Sequence, residues 1–156
     1  MSKFQLKNFF KSAYDLMLVF LQFFIISLLI FSMGISSKKQ IIQASPFLSL
    51  GILIIIIAFI IMLVSIKDLG RYLSPFPRPI DNSNLVTTGI YRFTRHPMYY
   101  SLIFISIGVF IIKLSIYYLF LTISLALIIK LKIALEEKYL MNKFKNYFLY
   151  KNEVKL

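Results

Sequence analysis

The chain has 156 residues, 59% of them hydrophobic, with a formal net charge of +12 and a mean hydropathy of +0.80. That length is one domain, and that composition is too apolar for an ordinary soluble one. With no cysteine and a single histidine, disulfides, thiolate chemistry, iron–sulfur clusters and multi-histidine metal sites are excluded; nucleic-acid binding is a poor reading too, because no soluble domain remains to present a basic face.

The N-terminus carries a basic stretch before an apolar run at residues 16–34. The run is long and no A-x-A-like cleavage site follows it, so it reads as a retained first span. Asp15, at its start, reads as a boundary residue near Lys11. Residues 36–45 form a short external loop, and residues 47–66 give a second span without a charge. A bilayer-crossing helix needs about 20 apolar residues.

Residues 67–97 are the longest polar stretch and hold Pro75, Pro77 and Pro79. Three alternating prolines preclude a helix and favour an extended path. Long irregular loops in compact proteins are commonly functional, and this one has enough aromatic residues to anchor it. Within it, Asp68 is expected to pair with Lys67 or Arg71.

A third apolar block, residues 98–129, is interrupted only by Lys113. One continuous helix over it would measure about 48 Å, against a hydrocarbon core of about 30 Å. It would also leave Lys113 in mid-membrane, which is costly. A hairpin with Lys113, Leu114 and Ser115 at its tip places the lysine among headgroups. The prediction is two short helices, roughly 98–112 and 116–133, and about four spans in an all-α, multi-pass fold. Residues 134–150 then read as a C-terminal cytoplasmic helix, with Leu135, Tyr139, Leu140 and Phe144 at helical spacing. Fifteen cations fall before span 1, in the 67–97 loop or after span 4; the other side has Lys38, Lys39 and Lys113. The positive-inside rule puts both termini and the loop in the cytoplasm. The whole chain reads as one integral-membrane domain, with residues 67–97 and 134–156 forming a pocket.

Three groups of residues there have chemical potential. Pro97 is pre-shaped for the first helical position, with His96 as cap. The free amides of that helix start, beside Arg92 and Arg95, suit an anion. On residue types alone, a helix start with arginines that hold headgroups is the favoured account. Glu136 and Glu137 are adjacent, and at 100° per residue they point different ways. One can face a pocket while its neighbour pairs with Arg or Lys; a helix-end charge pair is the plainer account. Tyr91, Tyr99 and Tyr100 gather at the same mouth, as a stacking platform or as an interfacial aromatic belt. There is no glycine-rich phosphate loop and no nucleophile with a base. Such a set fits a reaction that needs alignment more than proton chemistry, and methyl transfer from a sulfonium donor is one.

The segment LVTTGIYRFTRHPMY, residues 85–99, resembles the signature of the integral-membrane methyltransferases that include isoprenylcysteine carboxyl methyltransferase and the phospholipid methyltransferases. Leu85, Val86, Thr87, Gly89, Tyr91, Arg95, His96, Pro97 and Tyr99 match the family's first motif in order. Glu136, Glu137 and Leu140 match a second, and Phe144, Tyr147, Tyr150 and Val154 its tail. Two departures are Ser101, where a glycine usually follows the first motif, and Lys145, where a glycine follows Phe144. The resemblance implies S-adenosylmethionine as cofactor, contacted by Asn84, Leu85, Val86, Tyr91, His96, Pro97, Met98, Tyr99, Glu136 and Glu137. Arg92, Arg95, Tyr147 and Tyr150 would support them. It implies a lipophilic, membrane-embedded acceptor: a phospholipid amine, a prenylcysteine carboxylate or similar. No metal is expected. Two other readings compete: a non-catalytic small membrane protein of this fold, and an NADPH-dependent sterol-reductase-like enzyme, a class of much larger proteins.

Overall fold

A computed structural model describes the backbone of residues 3–35, 46–80 and 82–154, and the side chains of 13–34, 46–80 and 82–154. The 36–45 connection with Lys38 and Lys39, the side chains of Lys3, Lys7 and Lys11, and Lys155 lie outside the described residues. Among those described there is no strand. The helices are α1 (Lys3–Ile35), α2 (Pro46–Leu69), α3 (Pro97–Lys113), α4 (Ile116–Lys143) and α5 (Tyr147–Glu153). Two 3-10 turns, Gly70–Tyr72 and Gly89–Arg92, punctuate the segment between α2 and α3.

Three described stretches are long and apolar enough to cross a membrane: Ala13–Gly34, Pro46–Tyr72 and Ile116–Lys143. The fourth apolar helix, α3, has 17 residues. It is about 25 Å long, a little under a hydrocarbon core. The hairpin forms where Lys113 predicts it. Leu114 takes a left-handed conformation with φ 44°, and its N–H caps α3 by donating to the Phe110 carbonyl at 2.7 Å. Ser115 then starts α4. The helical periodicity expected over 134–150 is present, but in two pieces. With neither Pro nor Gly between 116 and 143, α4 runs on without a stop. It breaks at extended Phe144, and the chain turns so that Tyr147 and Tyr150 of α5 bury against the end of the bundle.

α3 sits between α2 and α4, and α1 packs on α4. The α2–α3 contact is the closest, because Gly51 and Gly108 face each other. A Cβ built on Gly108 would lie 2.8 Å from the Gly51 carbonyl oxygen and 2.6 Å from Cγ1 of Ile55. Small residues at such crossings let membrane helices approach backbone to backbone. The core of the other contact joins Ile25 and Leu29 of α1, Tyr99 and Val109 of α3, and Tyr118, Leu121, Leu125 and Ile129 of α4. The outward faces stay apolar: Phe31 is 70% and Phe120 68% exposed, as lipid-facing side chains are.

α1 and α4 run antiparallel and are joined by two buried polar contacts. Tyr139 donates its hydroxyl to the Asp15 carboxylate at 3.0 Å, and Lys132 donates Nζ to Oε1 of Gln22 at 2.5 Å. Both contacts reach the proline segment. Arg78 pairs with Asp15 at 3.5 Å and lies over the Tyr139 ring, and Lys132 also donates to the Pro75 carbonyl at 3.0 Å. The sequence places Asp15 near Lys11, whose side chain lies outside the described residues; near the start of the span, the structure adds a buried site for Asp15. Its partners come from the far half of the chain, and they permit its burial.

Candidate active site at the end of the bundle

The segment before α3 is folded by its own backbone. Gly89 has φ +62°, which a residue with a Cβ adopts only under strain. That turn aims the Ile90 N–H at Asp68, whose Oδ2 accepts it at 2.8 Å. The expected pairing of Asp68 with Lys67 or Arg71 is replaced by this amide contact. The turn buries Tyr91, and the Tyr150 hydroxyl donates to the Tyr91 carbonyl at 2.6 Å, tying α5 to the loop.

Pro97 occupies the first turn of α3 and His96 is its N-cap residue. The histidine caps with backbone only, since its side chain makes no capping bond. Its buried ring turns instead toward Glu137, with Nε2 3.4 Å from Oε1. Ser101, at the usual glycine position, is buried and donates to the Pro97 carbonyl at 2.8 Å, so its hydroxyl is accommodated inside α3.

The two adjacent carboxylates diverge, as 100° per residue requires. Glu137 meets Arg95 Nε at 3.0 Å and Lys151 Nζ at 2.7 Å. Arg95 also donates Nη1 to the carbonyls of Lys151 and Val154, at 2.9 and 2.6 Å. Glu137 and Arg95 thus fasten the C-terminal segment. Glu136 faces the other way and accepts the Tyr99 hydroxyl at 2.6 Å. Lys132, one helical turn earlier, lies 5.2 Å from the centre of the Tyr99 ring.

Between these elements lies an open cleft. Of the residues the sequence nominates, Asn84, Leu85, Val86, Tyr91, Arg95, His96, Met98, Tyr99, Glu136, Tyr147 and Tyr150 line it. Three do not. Arg92 is exposed at the end of its 3-10 turn, Pro97 is packed in the first turn of α3, and Glu137 is engaged by its ion pairs. Tyr100 is also off the wall. Sequence reasoning misses Tyr72, Phe76, Pro77, Arg78 and Leu140 on the wall, and Gln22 and Lys132 behind it. A signal for the last two exists: each is a polar side chain inside an apolar span, and such residues need a partner.

Burial pushes the phenols of Tyr91 and Tyr147 up from their ordinary range, and that of Tyr150 up to about 12. All three are neutral hydrogen-bond donors at physiological pH. Among the described residues no three His, Cys, Asp or Glu side chains gather as a metal site would require.

The family model for phospholipid methyltransferase matches residues 46–147, about two thirds of the chain. The match begins with α2, well before the motif at residues 85–99, and leaves α1 outside. No curated protein and no solved structure matches the chain.

Proposed function

Since the chain belongs to the phospholipid methyltransferase family, we propose that it binds S-adenosylmethionine in the cleft and methylates a lipophilic acceptor drawn from the membrane. One observation carries the reading: Glu136, with Tyr99 on one oxygen, faces the cleft, while Glu137 beside it is neutralised by cations. A carboxylate aimed into a partly apolar cleft suits a ribose diol, an ammonium group or a sulfonium charge. The residues fit a cationic nucleoside cofactor better than a phosphate-rich one. Arg95 on the wall is bound to Glu137 and to two carbonyls, and no glycine-rich loop is present in the sequence. When bound, S-adenosylmethionine supplies a methyl group on sulfur with a good leaving group.

The protein's part is then alignment and exclusion of water. Tyr91, Tyr99 and Tyr150 form aromatic wall, His96 and Met98 edge the start of α3, and the 84–86 backbone passes the mouth. Phe76 and Pro77 add apolar lining. For an amine acceptor the nucleophile is the neutral amine, so an ammonium headgroup gives its proton to water before the methyl passes from sulfur to nitrogen; the transfer itself then needs no side chain to move one. Phospholipid amines are the acceptor class we favour, because the family match is to phospholipid methyltransferases.

The test is binding of S-adenosylhomocysteine to the detergent-purified protein, followed by transfer of labelled methyl from S-adenosylmethionine to lipid extract. Stabilisation by S-adenosylhomocysteine and label in the lipid phase are expected. A protein that neither binds nor transfers refutes the proposal.

We further propose that both termini and the cleft face the cytoplasm, from the fifteen-to-three distribution of cations. The chain has no native cysteine, so single cysteines at Ser2, Ser36 and Asn152 report sidedness cleanly. Ser2 and Asn152 should label from one side and Ser36 from the other. Labelling of Ser36 together with Ser2 would contradict the arrangement.

A further inference from the structure

The buried polar groups along the cleft are mostly matched within the protein. Tyr99 donates to Glu136, Tyr150 to the Tyr91 carbonyl, and Arg95 to the C-terminal carbonyls. The Nε of Arg95 is not aligned for a hydrogen bond, but it lies 3.0 Å from the Glu137 carboxylate. Tyr147 stands apart: its side chain is 0% exposed, it lines the cleft, and its buried hydroxyl has no hydrogen-bond partner. Thr94 Oγ1 is likewise buried without a partner, but it does not line the cleft.

A buried hydroxyl left unpaired is destabilising, and phenylalanine would fill the same space without that cost. The ring alone is fully accounted for by packing, since it meets Tyr150 edge-on with centroids 6.0 Å apart. The oxygen is what packing does not explain. An unsatisfied buried group of this kind in a cleft wall is one that a ligand can complete.

We infer that the Tyr147 hydroxyl is a ligand-binding group, donating to an acceptor atom of the bound nucleoside cofactor. The inference rests on the S-adenosylmethionine reading and adds to it a contact from α5. It gives α5 two tasks on adjacent turns: Tyr150 ties the helix to the loop, and Tyr147 meets the cofactor. The phenol stays protonated because burial raises it, so it acts as a donor.

The two tasks separate by substitution. Tyr147→Phe should leave the thermal stability of the free protein in detergent unchanged or raised, because it deletes an unpaired group. Its affinity for S-adenosylhomocysteine should fall roughly three- to tenfold, the range for one hydrogen bond. Tyr150→Phe should lower the stability of the free protein, by loss of its bond to the Tyr91 carbonyl. Affinity of Tyr147→Phe equal to wild type overturns the inference while leaving the proposed function intact. A clear loss of stability in free Tyr147→Phe also overturns it, since the hydroxyl would then have a partner within the fold. A wild-type protein that fails to bind S-adenosylhomocysteine removes the proposed function, and this inference with it.

Discussion

Glu136→Gln is expected to weaken S-adenosylhomocysteine binding by about 1.5–3 kcal/mol, roughly 10- to 150-fold, with little loss of thermal stability. Glu137→Gln is expected to reverse that pattern. It strips the counter-charge from Arg95 and Lys151, which Glu137 meets at 3.0 and 2.7 Å. Leaving half-buried cations unpaired costs about 2–4 kcal/mol of stability, a figure held down by the partial exposure of Lys151 to water. Affinity by titration and melting in detergent, measured on both variants, separate the two roles. Equal effects of the two substitutions on binding would refute the division of labour between the neighbours.

Gly108→Leu should disrupt the fold itself. The added Cβ alone would stand 2.8 Å from a backbone oxygen of α2, which has no rotamer to yield with. The α2–α3 pair must separate, at about 3 kcal/mol or more, the upper end of the cost of overpacking. The cleft, built between the α2 end and the α3 start, should fail with it. Gly34→Leu is the matched control, since among the described residues nothing lies within 4 Å of a Cβ there. It should express and melt like wild type. If Gly108→Leu matches that control, the two helices do not touch through their glycines.

Much of this arrangement is legible in the sequence where the signal is local. Lys113 inside an apolar block marks the hairpin, Pro97 marks the start of α3, and adjacency alone makes Glu136 and Glu137 diverge. What escapes is long-range pairing. Asp15 and Tyr139 are 124 positions apart, and Gln22 and Lys132 are 110 apart. No periodicity connects such positions. Nearest-neighbour charge reasoning assigns Asp68 to Lys67 or Arg71. It fails because Asp68 finds an amide presented by the turn at Gly89. Arg92 and Arg95 look equivalent in the motif. Three residues apart around a turn, only Arg95 is directed inward, and it meets the C-terminal segment.

The two polar contacts between α1 and α4 are seven residues apart on each helix, 15 with 139 and 22 with 132. Seven residues of helix rise about 10.5 Å. The segment from Pro75 to Arg78 touches both contacts, and its three steps of backbone reach at most about 10 Å. The helices therefore act as a gauge against which that segment is measured, with the Arg78 side chain taking up the small remainder. Its side chains can vary within the needs of the cleft, but its residue count is set by the pitch of its neighbours. Because α1 supplies one edge of the gauge, a helix outside the family match fixes the length of a wall inside it.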